Sequence, residues 1–462
     1  MDSILIANGT IITMDERRRI IRDGAILIED SKIAAVGKSS ELKRKYSAEV
    51  TIYANNNIVM PGLINTHTHL FQSLGKDLGT DVNLIDWFKK AWNPLVTGMN
   101  DKDYYNAAML GILEAIETGT TTILAYEHAL NAHPSATKAL INAVEESKIR
   151  ALIGYGYQDT GIEIGAPPIA IRETNEIVNN IKKLLEQYNH SRENLLRFWL
   201  APGTINWCTQ ELIEKTKELA SMFDTGITVH MNETKAEYEF SKKTRGYSEV
   251  EYAFKIGLLG PKTLAVHTVW VDDYEISLLA KTSTKVSHNP ISNMYLASGV
   301  APIPKMLKKG IIVGLGTDGP SSNNNHNMFD VIRVTPLLHK VITLDPGAIT
   351  AEQTLEMATI MGAKALQIDD LVGSIEVGKK ADIIILDIHR SNLTPSIYPP
   401  ATIVYGNAGL NVDTVIINGE ILMEHGEINH LDREKILENA KKSLNDILSR
   451  VDLDIERRWP LI

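Results

Sequence analysis

Two histidines separated by one residue, His67-Thr68-His69, close an apolar run near the N-terminus. Alternate residues of a strand point the same way, so both imidazoles can face one divalent cation. Farther along, His230, His267, His288 and Asp318 each stand at the end of another short apolar run. A solitary histidine in such a place is usually a hydrogen-bonded core residue. Five of them with an aspartate, at successive run ends, point to a shared centre. Three imidazoles and one carboxylate suit Zn²⁺, with Fe²⁺ next. The ligands read from the sequence are His67, His69, His230 and Asp318, with water in the remaining position. Glu233 follows His230 by three residues. There a carboxyl outside the ligand set can shuttle protons, and it equally suits the start of the helix-like run that follows, as an acid favoured by the dipole.

Such a centre needs a scaffold that gathers distant segments. Eight apolar runs, 58–65, 120–125, 150–155, 197–201, 226–230, 263–267, 284–288 and 311–318, alternate with helix-like stretches such as 103–117, 135–147, 174–187, 209–222 and 248–256. This alternation predicts an α/β fold, a (β/α)8 TIM barrel with its active site at the C-terminal strand ends. No glycine-rich phosphate loop follows the first run, which disfavours a doubly wound open sheet. Both chain ends read differently. Short β-rich runs with Asn8-Gly9 near one terminus and Asn418-Gly419 near the other predict hairpins, and closeness of termini suggests one small composite β-sandwich domain formed by both. The expected division is 1–59 and 371–430 for the sandwich, 60–370 for the barrel, and 431–462 for a C-terminal helix and tail. The charged stretch 433–448 is expected to be a solvated surface helix.

Composition narrows the partners. The 462 residues are 44% hydrophobic and 23% charged, with a formal charge of −10. That balance gives no electrostatic footprint for nucleic acid or anionic lipid and favours a small-molecule substrate. A single cysteine, Cys208, excludes an intramolecular disulfide framework. The start of the chain lacks the basic region and long apolar core of a signal peptide, and no run approaches a membrane span. The expected location is the cytoplasm.

The motifs Pro61-Gly62-Leu63-Ile64-Asn65-Thr66-His67-Thr68-His69, His230-Met231-Asn232-Glu233, Ala265-Val266-His267, Ser287-His288-Asn289-Pro290 and Gly316-Thr317-Asp318-Gly319 together resemble the amidohydrolase superfamily. Within it the likeness is to the mononuclear aminohydrolase branch: S-adenosylhomocysteine/5′-methylthioadenosine deaminases, guanine and 8-oxoguanine deaminases, and triazine hydrolases. The segment 373–382 matches the superfamily's return into its small β domain, so the resemblance covers essentially the whole chain. Binuclear relatives often use a carboxylated lysine after the fourth strand. Residues 197–203 contain no lysine, which implies one Zn²⁺, or Fe²⁺, per subunit. By resemblance, Asp318 accepts a proton from the attacking water, His267 orients that water, and Glu233 protonates a ring nitrogen before ammonia leaves. His288 is expected to contact the developing oxyanion or the substrate.

Substrate residues are less specific. Gln72 resembles the guanine deaminase glutamine whose amide reads a purine edge, although a capping or surface role fits as well. Ser322 matches a pocket loop of the adenosylhomocysteine deaminases, or simply builds a turn. Trp92, with Trp87 and Trp207, can stack on a flat ring or pack. Two departures weaken a nucleoside substrate: Gly203 stands where relatives carry arginine or histidine, and 92–96 offers no acid for a ribose diol. The sequence-based expectation is a deaminase of an N-heterocycle such as a purine base or adenine nucleoside. The alternatives are a triazine hydrolase displacing chloride or alkylamine, and a non-catalytic scaffold. A homodimer is expected only by analogy with the family.

Overall fold

The computed structural model describes residues 3–130, 132–191, 193–452 and 459. Eight parallel strands pair in sequence order: β1 (Leu63–Thr68), β2 (Thr120–Glu127), β3 (Arg150–Tyr157), β4 (Leu196–Pro202), β5 (Ile227–Met231), β6 (Thr263–His267), β7 (Lys285–His288) and β8 (Val313–Leu315). The first and last meet: Thr66 Oγ1 donates to Leu315 O and Asp318 N to His67 O, each at 2.9 Å. The sheet is therefore rolled into the expected barrel. Every residue of all eight strands is buried, as it must be with helices outside and side chains within. Ile64, Leu124, Leu152, Trp199 and Leu264, from five strands, join one cluster with Ala363, Leu366 and Val372. Residues from so many strands can meet only in the barrel interior.

The termini build one nine-stranded mixed sheet, in which strands Ser3–Ile12, Ile20–Glu29 and Lys32–Lys38 are joined to Ile383–Leu386 and Val412–Ile417 through Ile58–Pro61. The sheet curls on itself, since Ile33 N donates to Lys379 O and Ala381 N to Ser31 O, both at 2.9 Å. Ile4, Ile6, Ile26, Ile28, Ile383 and Ile385 fill the curl. The run 58–65, expected as one barrel strand, is thus two: Ile58–Pro61 belongs to the terminal sheet and β1 begins at Leu63. Gly62 makes the crossing, where a Cβ would lie 2.1 Å from Thr121 Oγ1.

The C-terminal helix, Arg433–Arg450, differs from its expected solvated role. Its stripe Ile436, Ala440, Ser443 and Ile447 is buried, at helical spacing. Arg433 Nε pairs with Glu117 at 2.8 Å and Arg450 Nη1 with Asp103 at 2.5 Å, fastening it along the helix Asp101–Glu117. Among the described residues no helix is long and apolar enough to cross a membrane.

A buried ion pair joins barrel to terminal sheet. Arg150 Nε and Nη2 donate to Asp382 Oδ2 and Oδ1 at 2.8 and 3.0 Å, and Asp382 Oδ1 also accepts from Asn418 N at 2.8 Å. Removing one partner strands a charge, so Asp382→Ala should cost about 3–5 kcal/mol in urea unfolding. Adding Arg150→Met should recover part of that loss. A double variant no more stable than the single one would show that the stranded charge is not the cause.

Candidate active site

The barrel geometry brings the sequence-predicted residues to one end. His67 lies near the end of β1 and His69 just beyond it; His230 is next to last in β5, His267 ends β6, and Asp318 lies three residues past β8. Asp318 Oδ1 is 3.4 Å from His67 Nε2 and 3.1 Å from His69 Nε2. The His67 and His230 rings are 4.9 Å apart. Three sets, His67–His69–Asp318, His67–His230–His267 and His69–His128–His230, each place one ligand atom per residue within 4.8 Å of the others. Both ring nitrogens of His67 are buried without a hydrogen-bond partner among the described residues. His69 Nδ1 faces the carbonyl of Tyr126, and His230 Nδ1 that of Gly203 at 3.1 Å. A carbonyl can only accept, so these Nδ1 atoms carry protons and each Nε2 keeps its lone pair for a cation.

Electrostatics separate the two central acids. Burial, opposed by the nearby Asp318 carboxylate, lowers His67 to about 4; burial likewise lowers His267 to about 3 and His230 well below its usual range. Neutral imidazoles of this kind are ready to ligate metal. Burial alone would raise Asp318, but the close approach of the His67 and His69 imidazoles holds it well below the usual carboxylate range. Burial, then the charges of Glu237 and Asp318, push Glu233 well above it. Two carboxyls in one site therefore favour opposite protonation states, the usual separation of acid from base. His267 stands between them, its Nε2 3.5 Å from Glu233 Oε2 and 3.8 Å from Asp318 Oδ2. Asn289 and Asn293 donate to His267 Nδ1 at 3.3 and 3.0 Å, so Nε2 bears the proton facing both acids.

The turn carrying Glu233 is held from outside. Asn232 has φ +47°, His267 +70° and Asp318 +61°, left-handed values that persist only where surroundings enforce them. Glu249 Oε2 accepts from Asn232 N at 2.6 Å and Glu275 Oε1 from Asn232 Nδ2 at 3.1 Å. The Asn232 carbonyl accepts from Val269 N and Trp270 N, which ties the β5 turn to the β6 turn. Glu233 itself precedes the helix Lys235–Arg245; Thr234 is its cap and Glu237 its capping-box acid. The dipole-stabilising position considered for Glu233 thus belongs to Glu237. Ser298 Oγ donates to Glu233 Oε1 at 3.4 Å.

A cleft of about 450 Å³ opens over this floor, walled by Trp87, Phe88, Trp92 and Trp207. Gln72, Ser322 and Trp92, expected to meet substrate, all line it. Gln72 Oε1 accepts from Ser321 Oγ at 2.6 Å, leaving the amide nitrogen as its free end. That amide packs where a side chain at Gly319 would collide, a Cβ lying 1.8 Å from Oε1. Ser322 Oγ bonds Ser292 Oγ at 3.1 Å. His288 turns elsewhere: its Nε2 is 3.1 Å from His339 Nε2, and it is not among the cleft-lining residues. Sequence reasoning passed over His128, Asn289 and Asn293. His128 directly follows β2, which continues two residues past the apolar run 120–125.

Comparison with known proteins agrees with this geometry. The Amidohydrolase family model matches residues 58–422. The chain is 36% identical over 452 residues to a 5′-deoxyadenosine deaminase of Methanosarcina barkeri, covering 98% of this chain and all of that one. It is also 36% identical over 449 residues to a 5-methylthioadenosine/S-adenosylhomocysteine deaminase of Thermoanaerobacter pseudethanolicus, covering 97% and 100%. Among solved structures, an adenosine deaminase from Xanthomonas campestris with bound zinc superposes with a TM-score of 0.88 at 25% identity, covering 96% of this chain and 98% of that one. With the family match spanning the whole barrel and its His/Asp cluster, the chain belongs to the amidohydrolase family.

Proposed function

We propose that the protein is a metal-dependent hydrolytic deaminase that releases ammonia from an amino-substituted N-heteroaromatic ring, with an adenine nucleoside such as 5′-deoxyadenosine foremost. The carrying observation is the opposed pair of acids, Glu233 raised and Asp318 lowered, on either side of His267 beneath an aromatic cleft. The likeness to 5′-deoxyadenosine deaminase supports the nucleoside.

His67, His69, His230 and Asp318 would hold one Zn²⁺. The Nδ1 atoms of His69 and His230 are engaged by carbonyls, so each ring has one nitrogen left and can serve one ion only. When bound, such an ion supplies a water whose pKa falls toward neutrality. Asp318 takes one proton from that water as its oxygen bonds to the amino-bearing carbon, with His267 Nε2–H directed at the oxygen. Glu233 gives its proton to the adjacent ring nitrogen. On collapse, the hydroxyl proton returns to Glu233, the proton on Asp318 goes to the amino group, and the carbon–nitrogen bond breaks to release ammonia and the keto ring. The single buried cysteine suits a reducing compartment, and we place the enzyme in the cytoplasm.

The test is ammonia release by zinc-loaded protein from 5′-deoxyadenosine, adenosine, 5′-methylthioadenosine, S-adenosylhomocysteine, guanine, 8-oxoguanine and melamine. Release from the adenine nucleosides is expected. Release from free bases alone would keep the deaminase, move the substrate and give Gln72 the reading role. Chloride release from a chlorotriazine, with no ammonia from the panel, would replace the deaminase with a triazine hydrolase. Silence of a fully zinc-loaded protein would overturn the proposal.

A further inference from the structure

Beyond the ligand set, the floor of the cleft holds one more imidazole. His128 follows β2, lines the cleft and is 5% exposed. Its ring stacks on His230 at 5.0 Å and 18°, and His230 stacks in turn on His267 at 5.3 Å and 24°. Ring contacts thus run from His128 through His230 to His267, whose Nε2 is 3.5 Å from Glu233 Oε2. Trp92 and Trp207 each present a ring to His128 at 6.2 Å, so it sits where the floor meets the aromatic wall.

One observation separates His128 from the ligand histidines. It joins only one set, without the carboxylate, whereas His67, His69 and His230 each join two. Its Nδ1, like that of His67, is buried without a hydrogen-bond partner among the described residues, whereas the equivalent atoms of His69 and His230 face backbone carbonyls. A buried polar group without a partner is uncommon and calls for a reason, and a ligand in the cleft supplies one. Nor does the end of β4 compete for this place. Gly203 has no side chain, and a Cβ there would lie 3.0 Å from the Trp207 ring and 3.1 Å from Gln158.

We infer that His128 contacts the substrate, hydrogen-bonding the ring edge remote from Glu233 and thereby selecting fused bicyclic heterocycles that carry a polar ring nitrogen on that edge. This rests on the deaminase reading. A planar ring laid over this floor offers its reacting edge to Glu233 and its far edge to His128; a single six-membered ring has no far edge to offer.

The experiment compares the purine that the wild type deaminates best with its 3-deaza and 7-deaza analogues, each lacking one ring nitrogen. In the wild type, kcat/KM should drop for one analogue beyond its intrinsic reactivity. In His128→Phe, which keeps the ring and removes its hydrogen bonds, kcat/KM for the parent should fall about 10–100-fold, the scale of a lost buried hydrogen bond. The same variant should level the parent-to-analogue ratio and retain its zinc. His128→Gln, which keeps a donor and an acceptor, should preserve part of that ratio and covers the case in which the phenylalanine variant does not fold. Loss of zinc would make His128 a ligand and overturn the inference. So would an unchanged ratio in His128→Phe, or a wild type active only on monocyclic rings. A zinc-loaded wild type that releases no ammonia from any ring would fail the deaminase reading itself.

Discussion

Glu233→Gln should keep its full complement of zinc and lose about 10²–10⁴-fold in kcat, the contribution of a positioned general acid. The carboxyl is raised by burial and by the neighbouring charges of Glu237 and Asp318, which favours its holding the proton that the ring nitrogen must receive. Glutamine matches it in size and can still accept from Ser298 Oγ, which lies 3.4 Å from Oε1. It cannot give up a proton. KM should therefore change far less than kcat, because the hydrogen bonds are nearly conserved while transfer is abolished. Metal analysis beside steady-state ammonia release makes the measurement. Turnover near that of the wild type would remove Glu233 from the mechanism, and loss of zinc would make it a ligand.

What the sequence disclosed about this site follows from the kind of information each residue carries. His67, His69, His230, His267 and Asp318 were legible because each closes an apolar run, and the strand period fixed how the first pair points. The opposite failing occurred at Gly62. The run 58–65 is apolar throughout, so nothing in it marks the passage from the terminal sheet to β1; only the contact with Thr121 does. In Arg433–Arg450, abundant charge masked the stripe Ile436, Ala440, Ser443 and Ile447 that docks the helix. His128 was missed because apolarity stops at 125 while hydrogen bonding to β3 runs on through Tyr126 and Glu127. Asn289, Asn293 and His339 act through folded contacts with His267 and His288. No periodicity records such contacts. The strained turn at Asn232 is of the same kind: its reason lies in Glu249 and Glu275, 17 and 43 residues away.

Asp318→Asn should impair metal retention and activity together, with zinc well below stoichiometric after dialysis against a mild chelator and kcat down by about 10³-fold or more. The substitution is a clean probe of charge. Asp318 has φ +61°, a region that asparagine tolerates as well as aspartate, and an amide oxygen can still accept from Gly319 N, now 2.8 Å from Oδ1. The backbone should survive, so any loss comes from the missing negative charge. That charge lies 3.4 and 3.1 Å from the Nε2 atoms of His67 and His69. It does two things, drawing a cation among neutral imidazoles and taking the proton from the attacking water, and the variant should fail at both. The two roles come apart if zinc is retained at wild-type affinity while turnover collapses. Asp318 would then be a proton acceptor alone, and the remaining ligand would be His267, which lies in a set with His67 and His230 and would have to give up its Nε2 proton to bind. His267→Asn would in that case be the variant that empties the site.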